Sequence, residues 1–210
     1  MVPVQFFSSI NIQIPRKSIF KRLGYRKGVT QIIPDEMREL DESVEYAASL
    51  VRLKGAGKRF KVDVEGMSRI HFETGSVFES RDLAKFLSDC GEILLIGATG
   101  GSEITKTIQE CSESDSMTRS VVLDAVASEM VDASLDWLCN YFNRELTRES
   151  KRLSRRRFSA GYGDFSLLDQ HSIYDLLELK RIGIDINESA ILIPEKSVTA
   201  VVRIENSEEE

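Results

Sequence analysis

The segment DSMTRSVVLDAVASEMVDASLDWLCNYFNRELTRESKRL, residues 115–153, carries the clearest structural pattern of the chain. Apolar residues recur in it every three or four positions, from Val122 through Met130 to Leu146. This spacing is typical of a helix that buries one face. At roughly 30 residues or more, against a mean helix length near 12, the pattern predicts one unusually long helix.

The C-terminal end of this predicted helix is strongly cationic, with seven Arg and Lys residues between Arg144 and Arg157. Cations at the end of a helix complement its dipole, so part of this cluster is explained by the helix itself. Nucleic-acid binding is the other function that such a cluster suggests. Because the chain is acidic as a whole and the cluster has no interleaved aromatic residues, we expect no nucleic-acid partner.

Shorter elements precede the long helix. The patterns predict, in order, a strand over 8–14, a short amphipathic helix ending at Gly24, and a helix that starts at Asp35 and is ended by Gly55. Strands over 60–64 and around 70–77, a helix over 80–89 and a buried strand over 92–96 follow. Helices and strands do not alternate regularly. We therefore expect a single α+β domain with an antiparallel sheet.

The C-terminal part predicts a helix starting near Asp169 and ending at Gly183, then a strand over 187–194 and a turn at Pro194–Lys196. Alternating apolar residues over 198–204 follow, so a terminal hairpin is expected. The domain is predicted to cover residues 1–204. Residues 205–210 are predicted to form an acidic, frayed tail.

Composition excludes several classes of protein. A chain of 210 residues with 41% hydrophobic and 30% charged residues is ordinary for a globular protein, which argues against wholesale disorder. No apolar run approaches the length of a membrane helix, and residues 1–15 have no signal-peptide pattern. Three distant cysteines and two isolated histidines predict reduced thiols, a cytoplasmic location and no metal site.

The segment Gly97–Gly101 follows the buried strand over 92–96 and precedes a helical pattern. A nucleotide-binding fold holds a phosphate at such a position. The spacing fits neither of the common phosphate-loop motifs, however. The alternative is a tight turn or a close approach of the backbone, for which glycine is suited.

The segment RFSAGYGDF, residues 157–165, combines an arginine, two glycines and three aromatic residues. An arginine can hold a carboxylate through two hydrogen bonds, and glycine lets a ligand approach the main chain. Phe158 and Tyr162 offer flat apolar surface. This chemistry suits a small zwitterion that carries an aromatic group, although a capped helix exit would have a similar sequence.

Three separated blocks agree, in order, with one known family. The segment 157–165 with Gln170, IGIDINES at 182–189 and IPEKSVTA at 193–200 resemble the activation domain of cobalamin-dependent methionine synthase, most closely its stand-alone members. The strongest part of the resemblance covers residues 155–204. It implies a single α+β domain around a curved antiparallel sheet, with a shallow groove that binds S-adenosylmethionine.

The resemblance also implies partners. In this family the domain docks over the cobalamin module of methionine synthase after the cofactor has been oxidised. A flavodoxin-type donor supplies one electron, and the methyl group of S-adenosylmethionine traps the reduced cobalt. The protein mainly places the methyl group, while the cofactors carry the chemistry. Cobalamin would lie on the partner, and we expect no membrane partner.

The resemblance assigns roles to particular residues of this chain. Arg157 matches the motif arginine that contacts S-adenosylmethionine. Ala160, Gly161 and Tyr162 match the loop that lines the groove, with the tyrosine facing the corrin. Asp132 aligns with a family glutamate on the long helix, where a carboxylate could stabilise the sulfonium or hold contacts on the corrin side. A solvated helix residue is the alternative interpretation of Asp132.

The chain departs from the family in two regions. Val202 and Arg203 occupy hairpin positions where larger members carry an aromatic pair near the ligand, and Val202 cannot stack. The aspartate that binds the ligand's amine in the family has no match near Ile10–Pro15, where Gln13 and Pro15 stand instead.

Three functions remain to be separated. The first is a reactivation module that binds S-adenosylmethionine and acts in trans on a methionine synthase or a related corrinoid methyltransferase. The second is a docking subunit of a split methionine synthase that binds no S-adenosylmethionine. The third is an enzyme that uses Gly97–Gly101. Because the chain offers no Ser/His/Asp or Cys/His arrangement, we name no catalytic residue and expect no independent turnover.

Overall fold

The computed structural model describes residues 3–26, 28–30, 33–114 and 116–207. The helices are α1 (Arg16–Arg22), α2 (Pro34–Leu50), α3 (Arg81–Phe86), α4 (Ser102–Glu113), α5 (Met117–Leu146) and α6 (Gln170–Leu176). The strands are β1 (Gln5–Phe7), β2 (Lys54–Glu65), β3 (Arg69–Phe72), β4 (Val77–Glu79), β5 (Glu92–Thr99), β6 (Lys151–Phe158), β7 (Asp185–Ile186), β8 (Leu192–Ile193) and β9 (Ser197–Asn206). Asp115, the first residue of the predicted long helix, lies outside the described residues.

Seven of the described strands form one antiparallel sheet. The strand order is β4–β3–β2–β5–β9–β6, and β1 also pairs with β2. β7 and β8 form a separate two-stranded hairpin. The predicted α+β class, with an antiparallel sheet and one long helix, is confirmed.

β5 lies in the middle of the sheet, and seven of its eight residues are buried. Leu94 and Ile96 pack into the core on the α5 side, whereas Ile93 and Leu95 pack into a second core on the opposite face. A strand that is covered on both faces has a continuous apolar run instead of an alternating pattern. This explains why the run at 93–96 predicted a buried strand correctly.

The long helix α5 contains 30 residues and packs on one face of the sheet. α5 packs tightly over Gly57 in β2, where an added Cβ would lie 2.6 Å from Phe142 Cζ. A side chain at position 57 would therefore push the helix away from the sheet. Among the described residues, no helix combines the length and the hydrophobicity needed to cross a bilayer.

The glycines of the segment 97–101 do not form one loop. Gly97 lies inside β5, paired with Ala56 and Thr199, and an added Cβ there would lie 2.8 Å from Leu179 Cδ2. Gly101 has a φ of +85° immediately before α4. These positions favour close packing and a turn over a phosphate loop.

The cationic cluster lies mainly on a strand, contrary to the predicted helix end. α5 stops at Leu146, and a 3₁₀ turn leads to Ser150, whose φ of +54° reverses the chain. Residues from Lys151 onward then form β6, the strand at the edge of the sheet beside β9. Helical periodicity could not reveal this break, because Leu153 continues the apolar spacing beyond the true helix end.

Two predicted strand arrangements differ from the structure. The strand expected over 8–14 is instead β1 at Gln5–Phe7, and Ile10 is a buried residue of an extended segment. The expected terminal hairpin does not form, because β9 pairs with β5 and β6, while β8 pairs with β7. β9 also continues to Asn206, so Glu205 belongs to the sheet, and residues 208–210 lie outside the described residues.

Candidate functional site

The site begins where β6 ends. Phe158 pairs with Val201, and beyond this pair β9 has no β6 residue opposite it. The chain turns away at Gly161, whose φ of +89° strongly favours glycine. The turn closes through a hydrogen bond from Gly161 N–H to the Phe165 carbonyl oxygen, 2.8 Å, and Phe165 is buried beneath it. The RFSAGYGDF segment is therefore an anchored turn beside the part of β9 that β6 does not cover.

The carboxylate of Asp164 ties this turn to the start of α3. It accepts hydrogen bonds from the Ser80 hydroxyl, from Arg81 N–H at 2.9 Å and from Asp82 N–H at 3.1 Å. The Ser80 bond, followed by the two backbone bonds, holds the pKa of Asp164 below its ordinary value. The negative charge at the N-terminus of α3 also has a favourable position relative to the helix dipole.

A groove of about 730 Å³ lies beside this turn. We call it the Arg157 groove. α5 forms one wall through Asp132 and Leu135, the end of β6 and the turn form the second, and the residues from Ala190 to Ala200 form the third. Three chain segments that are distant in sequence thus meet around one concave surface.

Arg157 is held against α5 by two carboxylates. Its Nη2 lies 3.0 Å from Asp132 Oδ1, and its Nη1 pairs with Asp136. Burial opposes the charged guanidinium, but the bond to Asp136 and the charges of both aspartates outweigh it, so the pKa of Arg157 is raised. The three side chains together carry a net charge of −1.

The register of the sheet explains this pairing. Arg157 is opposite Val202 in the β6–β9 ladder, and directly opposed residues project from the same face of a sheet. The fully buried Val202 belongs to the core under α5. The Arg157 side chain therefore projects toward α5 as well, where Asp132 and Asp136 are one helical turn apart.

A buried polar pair forms the floor of the groove. Gln170 and Thr199, 5% and 2% exposed, exchange side-chain hydrogen bonds of 2.8 and 3.1 Å. The Ser159 hydroxyl donates to the Thr199 carbonyl oxygen at 2.8 Å. These bonds fix the uncovered end of β9 against α6 and the turn. At the mouth of the groove, the exposed side chains of Arg155 and Glu195 add one charge of each sign.

Three exposed apolar side chains form a rim on the groove. Tyr162 comes from the turn, Leu167 from the following 3₁₀ segment and Ile191 from the β7–β8 hairpin. All three line the groove, and each is at least 40% exposed. Clustered exposed apolar side chains of this kind are typical of an interaction surface.

The structure brings together some of the predicted site residues and separates others. Asp132, Arg157, Ala160 and Tyr162 line the Arg157 groove, and Gly161 forms the turn between the last two.

Val202 and Arg203 do not reach this groove. Val202 is fully buried in the core. The Arg203 side chain lies at a different groove, with its Nε 3.7 Å from Glu205 Oε1. Gln13 and Pro15 do not line the Arg157 groove either.

Several residues of the site had no predicted role. Asp136 could have been found, because it lies four residues after Asp132 and thus on the same side of a helix. Gln170 and Thr199 lie in the segments that resemble the family, but only the fold shows that they bond to one another. Glu195 lies in the predicted turn at Pro194–Lys196, and nothing in the sequence assigned it to a site.

Comparison with known proteins gives a likeness in fold. No family model matches the chain, and no curated protein matches its sequence. Among solved structures, the crystal structure of the MetH reactivation domain bound to AdoHcy superposes with a TM-score of 0.68 and 16% sequence identity. The match covers 100% of this chain and 80% of that one. The chain therefore has the fold of the MetH reactivation domain.

Proposed function

We propose that this chain is an S-adenosylmethionine-binding module that supports reductive reactivation of the cobalamin of a methionine synthase or a related corrinoid methyltransferase, acting in trans. One observation carries the proposal. A groove with a fixed arginine and a facing carboxylate occurs in a chain whose fold is that of a domain solved with AdoHcy. The resemblance of residues 155–204 to the same family supports it independently.

The charges of the Arg157 groove suit this ligand. A guanidinium has five N–H groups. Asp132 and Asp136 each take one, so others remain for the ligand's carboxylate. S-Adenosylmethionine carries a sulfonium, an ammonium and a carboxylate, with a net charge of +1. The net charge of −1 on Arg157 and its two aspartates is complementary to it, and Asp132 itself lines the groove.

The exposed apolar rim is evidence for a partner protein that covers the groove. A flat apolar face, such as a corrin bound on a separate methionine synthase chain, would bury Tyr162 and its neighbours. When bound on that chain, cobalamin supplies the reduced cobalt that accepts the methyl group. This chain would hold the methyl donor in place and exclude water, while a flavodoxin-type reductant supplies the electron. We place the process in the cytoplasm.

Calorimetric titration with S-adenosylmethionine tests the ligand part of the proposal. We expect saturable binding to the wild-type chain and a loss of about tenfold or more in Arg157→Ala, since a charge-assisted contact is removed. Arg148→Ala is the matched control, because Arg148 is an exposed arginine outside the groove. Absence of heat at millimolar ligand would contradict the proposal.

A second candidate is a docking subunit that binds no S-adenosylmethionine. Two observations favour it. Both terminal nitrogens of Arg157 are paired with aspartates. Val202 is buried, at the position where larger family members carry an aromatic residue near the ligand. Co-purification of the chain with a cobalamin-binding methyltransferase distinguishes the two. Complex formation that is independent of S-adenosylmethionine, together with no heat in the titration, would select the docking function.

A further inference from the structure

A second groove, of about 1020 Å³, lies between α3, β6 and β9, and we call it the β6–α3 groove. A break in the β6–β9 ladder accompanies it. Leu153 pairs with Ile204 and Arg157 with Val202, so three residues of β6 stand against the single residue Arg203. Such an irregularity bends the strand and redirects its side chains.

The β6–α3 groove is basic in a chain with a net charge of −6. Arg157 lines it as well, but Asp132 and Asp136 compensate that charge. Among the other charged residues there are five cations and two carboxylates, which leaves a charge of +3: Lys85, Arg152, Arg155, Arg156 and Arg203 against Asp82 and Glu205.

Most of this positive charge is not compensated within the described part of the chain. Glu205 is shared, because its carboxylate lies 3.7 Å from the Nε of both Arg152 and Arg203. The Arg203 Nε is buried and has no hydrogen-bond partner among the described residues. For Lys85, Arg155 and Arg156, no described carboxylate oxygen lies within 4.0 Å. Cations that line one cavity without carboxylate partners favour the binding of an anion there.

One wall of the groove is aromatic. The rings of Phe86 and Phe158 are stacked, with centroids 5.6 Å apart and planes at 28°. Both side chains are half-buried and line the groove beside the cations. A cavity that combines an apolar wall with a few charged groups is typical of small-molecule sites, whose volumes are about 300–1000 Å³.

We propose that the β6–α3 groove binds a small ligand that carries two linked phosphoryl groups. A phosphate monoester has a charge of about −1.5 to −2 at pH 7, so a charge of +3 is better matched by two phosphoryl groups than by one. Arginines hold phosphoryl oxygens through paired hydrogen bonds. This site is separate from the proposed S-adenosylmethionine site, since Lys85, Arg156 and Arg203 do not line the Arg157 groove.

Titration calorimetry with ADP, inorganic pyrophosphate and adenosine tests this proposal. We expect ADP and pyrophosphate to bind and adenosine to give no heat. Affinity should fall several-fold between low and high salt, because exposed charges are screened. Lys85→Ala and Arg156→Ala should each weaken ADP about five- to tenfold, whereas Arg148→Ala, an exposed arginine outside the groove, should not.

A titration with ADP in the presence of saturating AdoHcy distinguishes the two sites. ADP should still bind in its presence, with an affinity within a small factor of that for the free chain, because the β6–α3 groove remains open. Displacement of ADP by AdoHcy would overturn the proposal, since it would place both ligands in the Arg157 groove. Absence of binding by ADP and pyrophosphate would also overturn it. If poly-glutamate binds and loses affinity in Lys85→Ala while ADP does not bind, the groove is a docking face for an acidic protein instead.

Discussion

Replacing Asp132 by asparagine removes one charge from the Arg157 groove and nearly preserves the shape of the side chain. Asp132 is the carboxylate that both lines the groove and pairs with Arg157, 3.0 Å from its Nη2. Asp136 pairs with the same arginine but does not line the groove. The two aspartates therefore allow a test of whether the groove recognises a positive charge on its ligand.

The size of the effect follows from Coulomb's law. Two unit charges 4 Å apart interact with about 1 kcal/mol in water and about 4 kcal/mol at an effective dielectric constant of 20. The Asp132 side chain is 61% exposed, so the lower value applies. About 1 kcal/mol corresponds to about fivefold in affinity. S-Adenosylmethionine has the sulfonium charge and AdoHcy lacks it, so the ratio of their affinities should change by about fivefold.

The assay is a pair of calorimetric titrations, with S-adenosylmethionine and with AdoHcy, on three proteins. In the wild-type chain S-adenosylmethionine should bind more tightly than AdoHcy. Asp132→Asn should reduce this preference by about fivefold. Asp136→Asn should leave the preference nearly unchanged, because it alters only the far side of Arg157. Thermal melts of all three proteins establish that each is folded.

An unchanged ratio in Asp132→Asn would refute a charge interaction between Asp132 and the sulfonium, even if both affinities fell. That result would mean that Asp132 only positions Arg157 and does not act on the sulfonium. A larger change in Asp136→Asn than in Asp132→Asn would refute it too, since the effect would then come from the orientation of the guanidinium and not from charge facing the ligand.

Two further predictions concern stability. Gly57→Ala should destabilise the fold by about 1–3 kcal/mol in urea denaturation, because its Cβ would lie 2.6 Å from Phe142 Cζ, whereas Gly91→Ala, with open space around it, should change little. The hydrogen bond from Arg59 lowers the pKa of Glu149 to about 2 from its ordinary 4.5. A carboxyl with a lowered pKa stabilises the fold above pH 4.5 and loses this contribution as the pH falls toward 2. Glu149→Gln should therefore reduce the dependence of the melting temperature on pH over that range.

The parts of the fold that depend on local pattern could be predicted. The long helix and β5 follow from a periodicity of three to four residues and from an uninterrupted apolar run. The pairing of β9 could not be predicted in this way. Alternating residues over 198–204 indicate a strand, but its neighbours β5 and β6 are selected by packing between segments that are about 50 to 100 residues apart in the chain.

The candidate site was predicted only where its residues lie in one segment. Arg157, Ala160 and Tyr162 lie in one segment whose chemistry is visible in the sequence. The pairing of Arg157 with α5 depends on the side of the sheet from which it projects, and this is set by its register opposite Val202. The same register buries Val202. It therefore explains both why Arg157 lies at the site and why Val202 does not.

Both grooves arise from one mismatch between neighbouring strands. β9 has ten residues and β6 has eight, and three of those eight are taken up opposite Arg203. β6 therefore stops at Phe158 and leaves the first part of β9 uncovered, where the Arg157 groove forms. The irregular residues themselves line the second groove. Because Arg155 lines both grooves, a ligand in either one would restrict the same short segment of β6. Tight binding at one groove should then alter affinity at the other by a small factor, which is the same in both directions.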